Sequence, residues 1–401
     1  MMRRRHALAL FGSAALAAPA VHAQSLVNVR FTLDWAFQGP QGAFLLALDR
    51  GYFREAGLNV TMDRGFGSGD VPVKISAGAY DVGVADLNPT IRMKLERPES
   101  DLFTPFLIHD ATALAIMTLR RENIRTPADL AGKTLASPES DAGRQLFPAF
   151  AKGAGFDPAS VRWQTVTPQL REPMLVQGRA NAITGFITSG IFSLRGLGIP
   201  DQDIVTLLFS DVGADFFSTS LITTRRWANA NRPAVTGLIR GLIRAQYDSL
   251  RDPAAAIANL RRREALTDVA LETERLRMSL DRLTFTPHVR QNGFGQVDMV
   301  RLQRSVDAVR EAFGISRPMA ASDIYDASFL PRPPICGRPD ESIRTWQPSP
   351  RASGRNCPGP PSRPCRPIRW RCCRWRASSS MGRICRSPWT PRSTRAWSRA
   401  R

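Results

Sequence analysis

The chain predicts an α/β protein, with two domains spread over residues 24–333 of its 401. Three observations carry that expectation. Short apolar runs alternate with amphipathic segments, the order of strands joined by helical crossovers. The alternation occurs twice, from residue 27 to 86 and again from 114 to 211. The span is also long enough for two cores of ordinary size.

Taken in order, VNVRFTL (27–33) reads as a strand. AFLLALDRGYFREAG (43–57) has helical spacing and a glycine stop at Gly57. LNVTMDRG (58–65) is a second strand, followed by the loop Gly65-Phe66-Gly67-Ser68-Gly69-Asp70. VPVKISAG (71–78) fits a helix ending on glycine, and YDVGVAD (80–86) a third strand. This βαβαβ series requires right-handed crossovers between parallel strands.

The second series opens with LAIMTLR (114–120), then the strand KTLAS, the loop PESD and a helix stopped by Gly155. VRWQTVT (161–167), the helix REPMLVQG (171–178) and the strand NAITGF (181–186) follow. IVTLLFSD (204–211) and SLITTRRWA (220–228) bring the chain back across. From about 232 to 313 the apolar spacing is i, i+3, i+4 and predicts helices. The two series are not a sequence repeat.

The ends differ in kind from this middle. Residues 1–23 combine Arg3, Arg4 and Arg5 with an apolar stretch and Val21-His22-Ala23, the pattern of a signal peptide cleaved after Ala23. Arg4-Arg5 also hints at twin-arginine export, beside the general secretory route. Residues 334–401 hold sixteen Arg, no Lys, eleven Pro and all six Cys, with no Leu, Val, Phe or Tyr. Against two acids they carry +14 of the formal +20, so the middle of the chain is nearly neutral. Three readings compete for this tail: nucleic-acid binding by arginine, a disulfide framework, and GC-rich DNA read out of frame. The abrupt break in composition favours the frameshift, and such a segment is expected to be disordered. No nucleic-acid partner is expected.

Open α/β sheets bind ligands at the loops beyond their strand C-termini. Those loops here are polar and aromatic. Trp35 and Phe37 offer rings for stacking on a flat solute, while Gln38, Asn88 and Gln169 both donate and accept. Gly67 and Ser68 lie in the glycine-rich loop, read either as a cradle for an anion or as a tight turn. Asp86, Ser137 and Phe186 end strands. Arg171 beside Glu172 reads as a solvated pair or as part of the ligand site, and Asp141 as a helix N-cap. The span 24–333 has no cysteine and two histidines, His109 and His288. It lacks a nucleophile elbow, a zinc motif and any metal-ligand cluster. No catalytic residue, metal or cofactor is expected, and the protein reads as a binder, not an enzyme.

The stretch LDWAFQGPQGAFLLALDRGYFREAGLNV…GFGSGD…AGAYDVGVAD resembles the periplasmic substrate-binding proteins of ABC importers, in the branch for nitrate, sulfonates, taurine and thiamine-pyrimidine precursors. The matching features are Asp34-Trp35, the helix running to Gly51-Tyr52-Phe53-Arg54-Glu55-Ala56-Gly57-Leu58, the Gly/Ser loop, and Ala77-Gly78-Ala79-Tyr80-Asp81-Val82-Gly83-Val84-Ala85-Asp86. TPADLAGKTLASPESDAG (126–143), LVQGRANAITGF (175–186) and DASFLP (326–331) extend the likeness. Phe37-Gln38 stands where pyrimidine binders often carry Asn-His, and Asn181 where the family usually has Asp. The related fungal pyrimidine synthase is an enzyme, but its cysteine cluster has no counterpart here.

The resemblance implies a periplasmic-binding-protein-like fold. Lobe one would span 27–112 and 214–333, lobe two 113–213, with the ligand cleft between them and a disordered tail over 334–401. It implies a monomeric periplasmic receptor that passes a small planar or anionic nitrogen- or sulfur-containing solute to an inner-membrane permease. The alternative is an enzyme on the same scaffold, pyrimidine-forming or lyase-like.

Overall fold

A computed structural model describes residues 26–331. The segment read as a signal peptide (1–23) and the arginine-rich segment expected to be disordered (334–401) lie outside the described residues. The strands are β1 (Val27–Thr32), β2 (Leu58–Asp63), β3 (Val82–Asp86), β4 (Leu102–Leu107), β5 (Leu114–Leu119), β6 (Thr134–Ser137), β7 (Arg162–Thr165), β8 (Ala182–Phe186), β9 (Ile204–Leu208) and β10 (Thr219–Thr224). They form two five-stranded mixed sheets, ordered β2-β1-β3-β10-β4 and β7-β6-β8-β5-β9.

The two orders follow one plan. In each sheet three strands pair in parallel, β1, β2 and β3 in one and β6, β7 and β8 in the other, with the earliest of them between the other two. The strand arriving from the other lobe then inserts antiparallel beside the third. Thus β10 returns to the first sheet and β5 leads into the second. The sequence shows no repeat, yet the topology repeats, because strand order depends on the alternation of elements and not on residue identity.

Two expectations on elements need correction. The single helix over 43–57 is two helices, Gly39–Asp49 and Tyr52–Glu55, because Gly51 between them takes a left-handed φ of 76°. Leu102–Leu107 (LFTPFL) is a strand that the pattern did not reveal. Pro105 speaks against a central strand, and β4 is an edge strand, where a missing N–H is tolerated.

Each sheet buries its own apolar cluster. Val29, Phe31, Leu33, Phe103 and Phe106 of the first sheet meet Phe44 and Phe53 from the helices above it. In the second lobe, Phe147, Phe150 and Phe209 stack with ring centroids 4.9–6.1 Å apart. The helix Arg232–Arg251 turns Val235, Leu238, Ile239 and Leu242 to the first sheet, as its spacing predicts. The helix Met299–Ala312 turns Leu302, Val306 and Val309 into a cluster shared by both lobes, with Leu87 and Ile91 of the first and Phe147 and Phe150 of the second.

The lobes are linked by two crossing segments that pair with each other. Ile108 and His109 N–H donate to the Thr219 carbonyl at 2.9 Å, and Ser218 N–H donates to His109 at 3.2 Å. Further out, the glycine-rich loop of the first lobe meets Ser140 of the second. Gly69 N–H donates to the Ser140 carbonyl at 2.8 Å, and Ser140 Oγ donates to the Phe66 carbonyl at 2.9 Å. A Cβ on Gly67, whose φ is 150°, would stand 2.4 Å from that Ser140 oxygen. The described chain is therefore closed over its cleft.

Candidate functional site

Between the lobes lies a narrow pocket with a cavity volume of about 40 Å³. Its floor is the crossing point, with His109 and Thr219. Trp35, Gln38, Gln41 and Phe44 form one wall, and Asp141, Arg171 and Phe186 form the other. A broader recess continues outward past Trp35, Arg64, Gln169 and Glu172.

Trp35 and Gln38 reach the pocket because β1 ends at Thr32 and the helix beginning at Gly39 starts immediately afterwards. The intervening loop follows the C-terminal edge of a parallel strand. Gly39 N–H is bound by the Glu272 carboxylate at 2.5 Å, which fixes the start of that helix. Phe37 faces away from the pocket and packs into two apolar clusters with Met62 and Phe294.

Arg171 is fully buried and held on several sides. Its guanidinium donates to Glu172 at 2.6 and 3.1 Å, to Asp141 at 3.3 Å and to Ser189 Oγ at 3.1 Å. It also lies 4.7 Å from the Trp35 ring centroid, across the cleft. The solvated-pair reading of Arg171 and Glu172 is therefore overturned, since the pair is 1% and 5% exposed. Asp141 is indeed an N-cap, accepting from Arg144 N–H at 3.1 Å, and at the same time it lines the pocket.

Asp34 is buried beneath Trp35. Its carboxylate accepts from Ser68 Oγ at 3.0 Å and from Gln41 Nε2 at 3.5 Å. Burial pushes its carboxyl up to about 6, against the opposing effect of those donors. His109 has its Nε2 3.3 Å from Ser279 Oγ, and burial lowers its imidazole to about 4, so the ring is neutral at pH 7.

Of the twelve residues expected at the site, Trp35, Gln38, Ser68, Arg171 and Phe186 line the inner pocket, and Gln169 and Glu172 the outer recess. The others sit elsewhere. Asp86 and Asn88 form a buried network at the end of β3, where Asp86 accepts from Asn88 Nδ2 at 2.7 Å and from Ser218 Oγ at 3.0 Å. Burial raises the Asp86 carboxyl to about 6. Ser137 Oγ accepts from Thr184 at 2.7 Å behind the wall. Gly67 meets Ser140, as described. The N–H groups of Gly65, Gly67, Gly69 and Asp70 all bind carbonyls of the chain itself, so the glycine-rich loop is a turn and a contact between lobes, not an anion cradle. Asn181 accepts from Thr134 N–H and donates to Glu122, both at 2.9 Å, a role in strand alignment.

Sequence reasoning missed Gln41, Phe44, His109 and Thr219. Gln41 and Phe44 fall inside a helix, where apolar spacing hides a ligand-facing position. His109 and Thr219 lie 110 residues apart in sequence and meet only through the crossover.

Comparison with known proteins places this geometry in context. The family model described as NMT1/THI5 like matches residues 41–256. No curated protein sequence matches the chain. A Bordetella bronchiseptica RB50 structure is similar at 16% identity and TM-score 0.61, over 76% of this chain and 96% of that one. The alkanesulfonate-binding protein SsuA of Xanthomonas axonopodis pv. citri, bound to MOPS, matches at 18% identity and TM-score 0.59, over 76% and 100%. The periplasmic nitrate-binding protein NrtA of Synechocystis PCC 6803 matches at 11% identity and TM-score 0.55, over 76% and 87%. These likenesses show the periplasmic-binding-protein fold.

Proposed function

This chain belongs to the NMT1/THI5-like family, and on that premise we propose that it is the exported, solute-binding component of an ABC-type importer. It takes a small planar nitrogen- or sulfur-containing solute into the cleft and delivers it, as a monomer, to an inner-membrane permease. The observation that carries this reading is a pocket walled by both lobes, with Trp35 of one lobe against Arg171 of the other. A solute there touches two bodies joined by only two crossing segments, so its binding energy acts on the closed state. Among the described residues no helix is long and apolar enough to cross a membrane, and a soluble receptor requires none.

Binding alone accounts for the polar groups of the pocket. Asp34, Asp141 and Arg171 are each engaged by protein partners and orient the walls. The reading is tested in the native host by deleting the gene and following solute uptake. Uptake of the solute that the purified protein binds is expected to fall, while the solute is recovered unchanged from the protein. Recovery of a chemically altered product would replace the receptor by an enzyme on the same scaffold.

A further inference from the structure

Three side chains that line the pocket each carry a buried polar atom with no partner in the protein: Gln41 Oε1, His109 Nδ1 and Thr219 Oγ1. Their residues are 9%, 6% and 3% exposed. A buried polar group without a partner is destabilising, and native proteins carry few of them. Of the twelve such atoms among the described residues, these three belong to side chains that line one cavity. The Gln41 oxygen only accepts, because the amide nitrogen is directed at Asp34. Thr219 Oγ1 accepts or donates, and the neutral His109 ring takes either role according to its tautomer.

The charge balance points the same way. Three carboxylates line the pocket and its recess, those of Asp34, Asp141 and Glu172, and the guanidinium of Arg171 is bound by the last two. Arg275 and Glu272 pair with each other at 2.9 Å and add no net charge. Arg64, at the outer recess, stands 3.6 Å from Glu264. Asp86, buried behind the wall, adds a further carboxyl.

The usual backbone sites for an anion are occupied. Glu272 holds the first N–H of the helix Gly39–Asp49. Asp86 and Asp141 cap the helices that follow β3 and β6. The glycine-rich loop binds its own chain. The start of the helix Ile187–Gly196 has no side-chain cap, and its dipole offers about half a positive charge at most.

We infer that the pocket floor formed by Asp34, Gln41, His109 and Thr219 is an acceptor subsite for a planar, N–H-bearing organic cation of the amidinium type, and that the cleft discriminates against sulfonates and nitrate. The inference rests on the receptor reading of the same cleft and narrows its solute class. Trp35, Phe44 and Phe186 supply the apolar surfaces for such a plane. Burial raises the Asp34 carboxyl to about 6, so it is ionised at pH 7.5.

The test compares three probes that share a benzene ring on the full chain at pH 7.5 by calorimetry: benzamidinium, benzamide and benzenesulfonate. Benzamidinium is expected to bind at least about 30-fold more tightly than benzenesulfonate, the effect of a buried charge pair. Asp34→Asn should erase most of the preference for benzamidinium over benzamide. Thr219→Val, which keeps shape and removes the hydroxyl, should weaken benzamidinium by about tenfold at an unchanged melting temperature. Tighter binding of the sulfonate, an unchanged preference in both variants, or no response to any probe overturns the inference. In the first case the receptor reading stands. Turnover of a probe would sink the receptor reading and leave the charge preference in place.

Discussion

The Arg171 guanidinium lies 4.7 Å from the Trp35 ring centroid, and these two residues belong to opposite lobes. One face of Trp35 is thereby taken by the protein itself. A solute in the inner pocket meets Trp35 alongside Gln38 and Phe44. Trp35 thus reports both closure and occupancy.

Trp35→Ala is expected to abolish ligand stabilisation and to change the empty protein little, by about 1 kcal/mol. The ring is partly exposed and belongs to no core cluster. Melting curves with and without ligand measure both quantities. A large loss in the empty protein would mean that the ring serves packing.

Arg171→Met should destabilise the fold by about 3–5 kcal/mol, because it leaves Asp141 and Glu172 buried without their cation. The triple variant with Asp141→Asn and Glu172→Gln should recover much of that loss. Urea unfolding midpoints decide the matter. Equal losses in the single and triple variants would show that the guanidinium acts through packing alone.

Asp34 and His109 give the stability a pH signature of opposite signs. Asp34 holds its proton more tightly folded (about 6) than unfolded (3.8). Its contribution is therefore full below pH 4 and is lost as pH rises through 6, by about 3 kcal/mol at most. His109 falls from 6.5 to about 4 on folding. Its contribution is present above pH 6.5 and is lost as pH falls through 4. Asp86, raised to about 6 by burial in the same way, acts with Asp34, so the wild type is expected to lose stability as pH rises from 4 to 6. Asp34→Asn should flatten that region, and His109→Gln should steepen the fall. Two variants with the same slope would contradict the assignment.

Gly67→Ala should weaken ligand binding and loosen closure, since the new Cβ would meet the Ser140 carbonyl at 2.4 Å. An alanine is strained at a φ of 150° in any case, and the clash with Ser140 adds its cost to the closed form. Small-angle scattering is expected to show a larger radius of gyration in the variant at equal ligand concentration. An unchanged radius and affinity would remove the loop from the closure contact.

The sequence made the alternation of elements legible because each strand and helix advertises its own period. Nine of the ten strands announced themselves in this way. The edge strand Leu102–Leu107 did not, since Pro105 masks it. The site was legible where it lies on loops after strands, as at Trp35, Gln38 and Arg171. It was hidden where burial depends on distant partners. Nothing local tells that Arg171 is enclosed by Asp141, or that Phe37 turns inward while its neighbour Gln38 turns to the cleft. His109 and Thr219 become neighbours only because two crossing segments pair at the hinge.

The central claim, that the cleft holds a small solute through Trp35, is tested most directly by melting the full chain against a solute library, with Trp35→Ala in parallel. The account predicts a solute that stabilises the wild type by about 3–4 kcal/mol at a few hundred times Kd and leaves Trp35→Ala unmoved. A solute that stabilises both proteins equally, or a library without any stabilising solute, would contradict it.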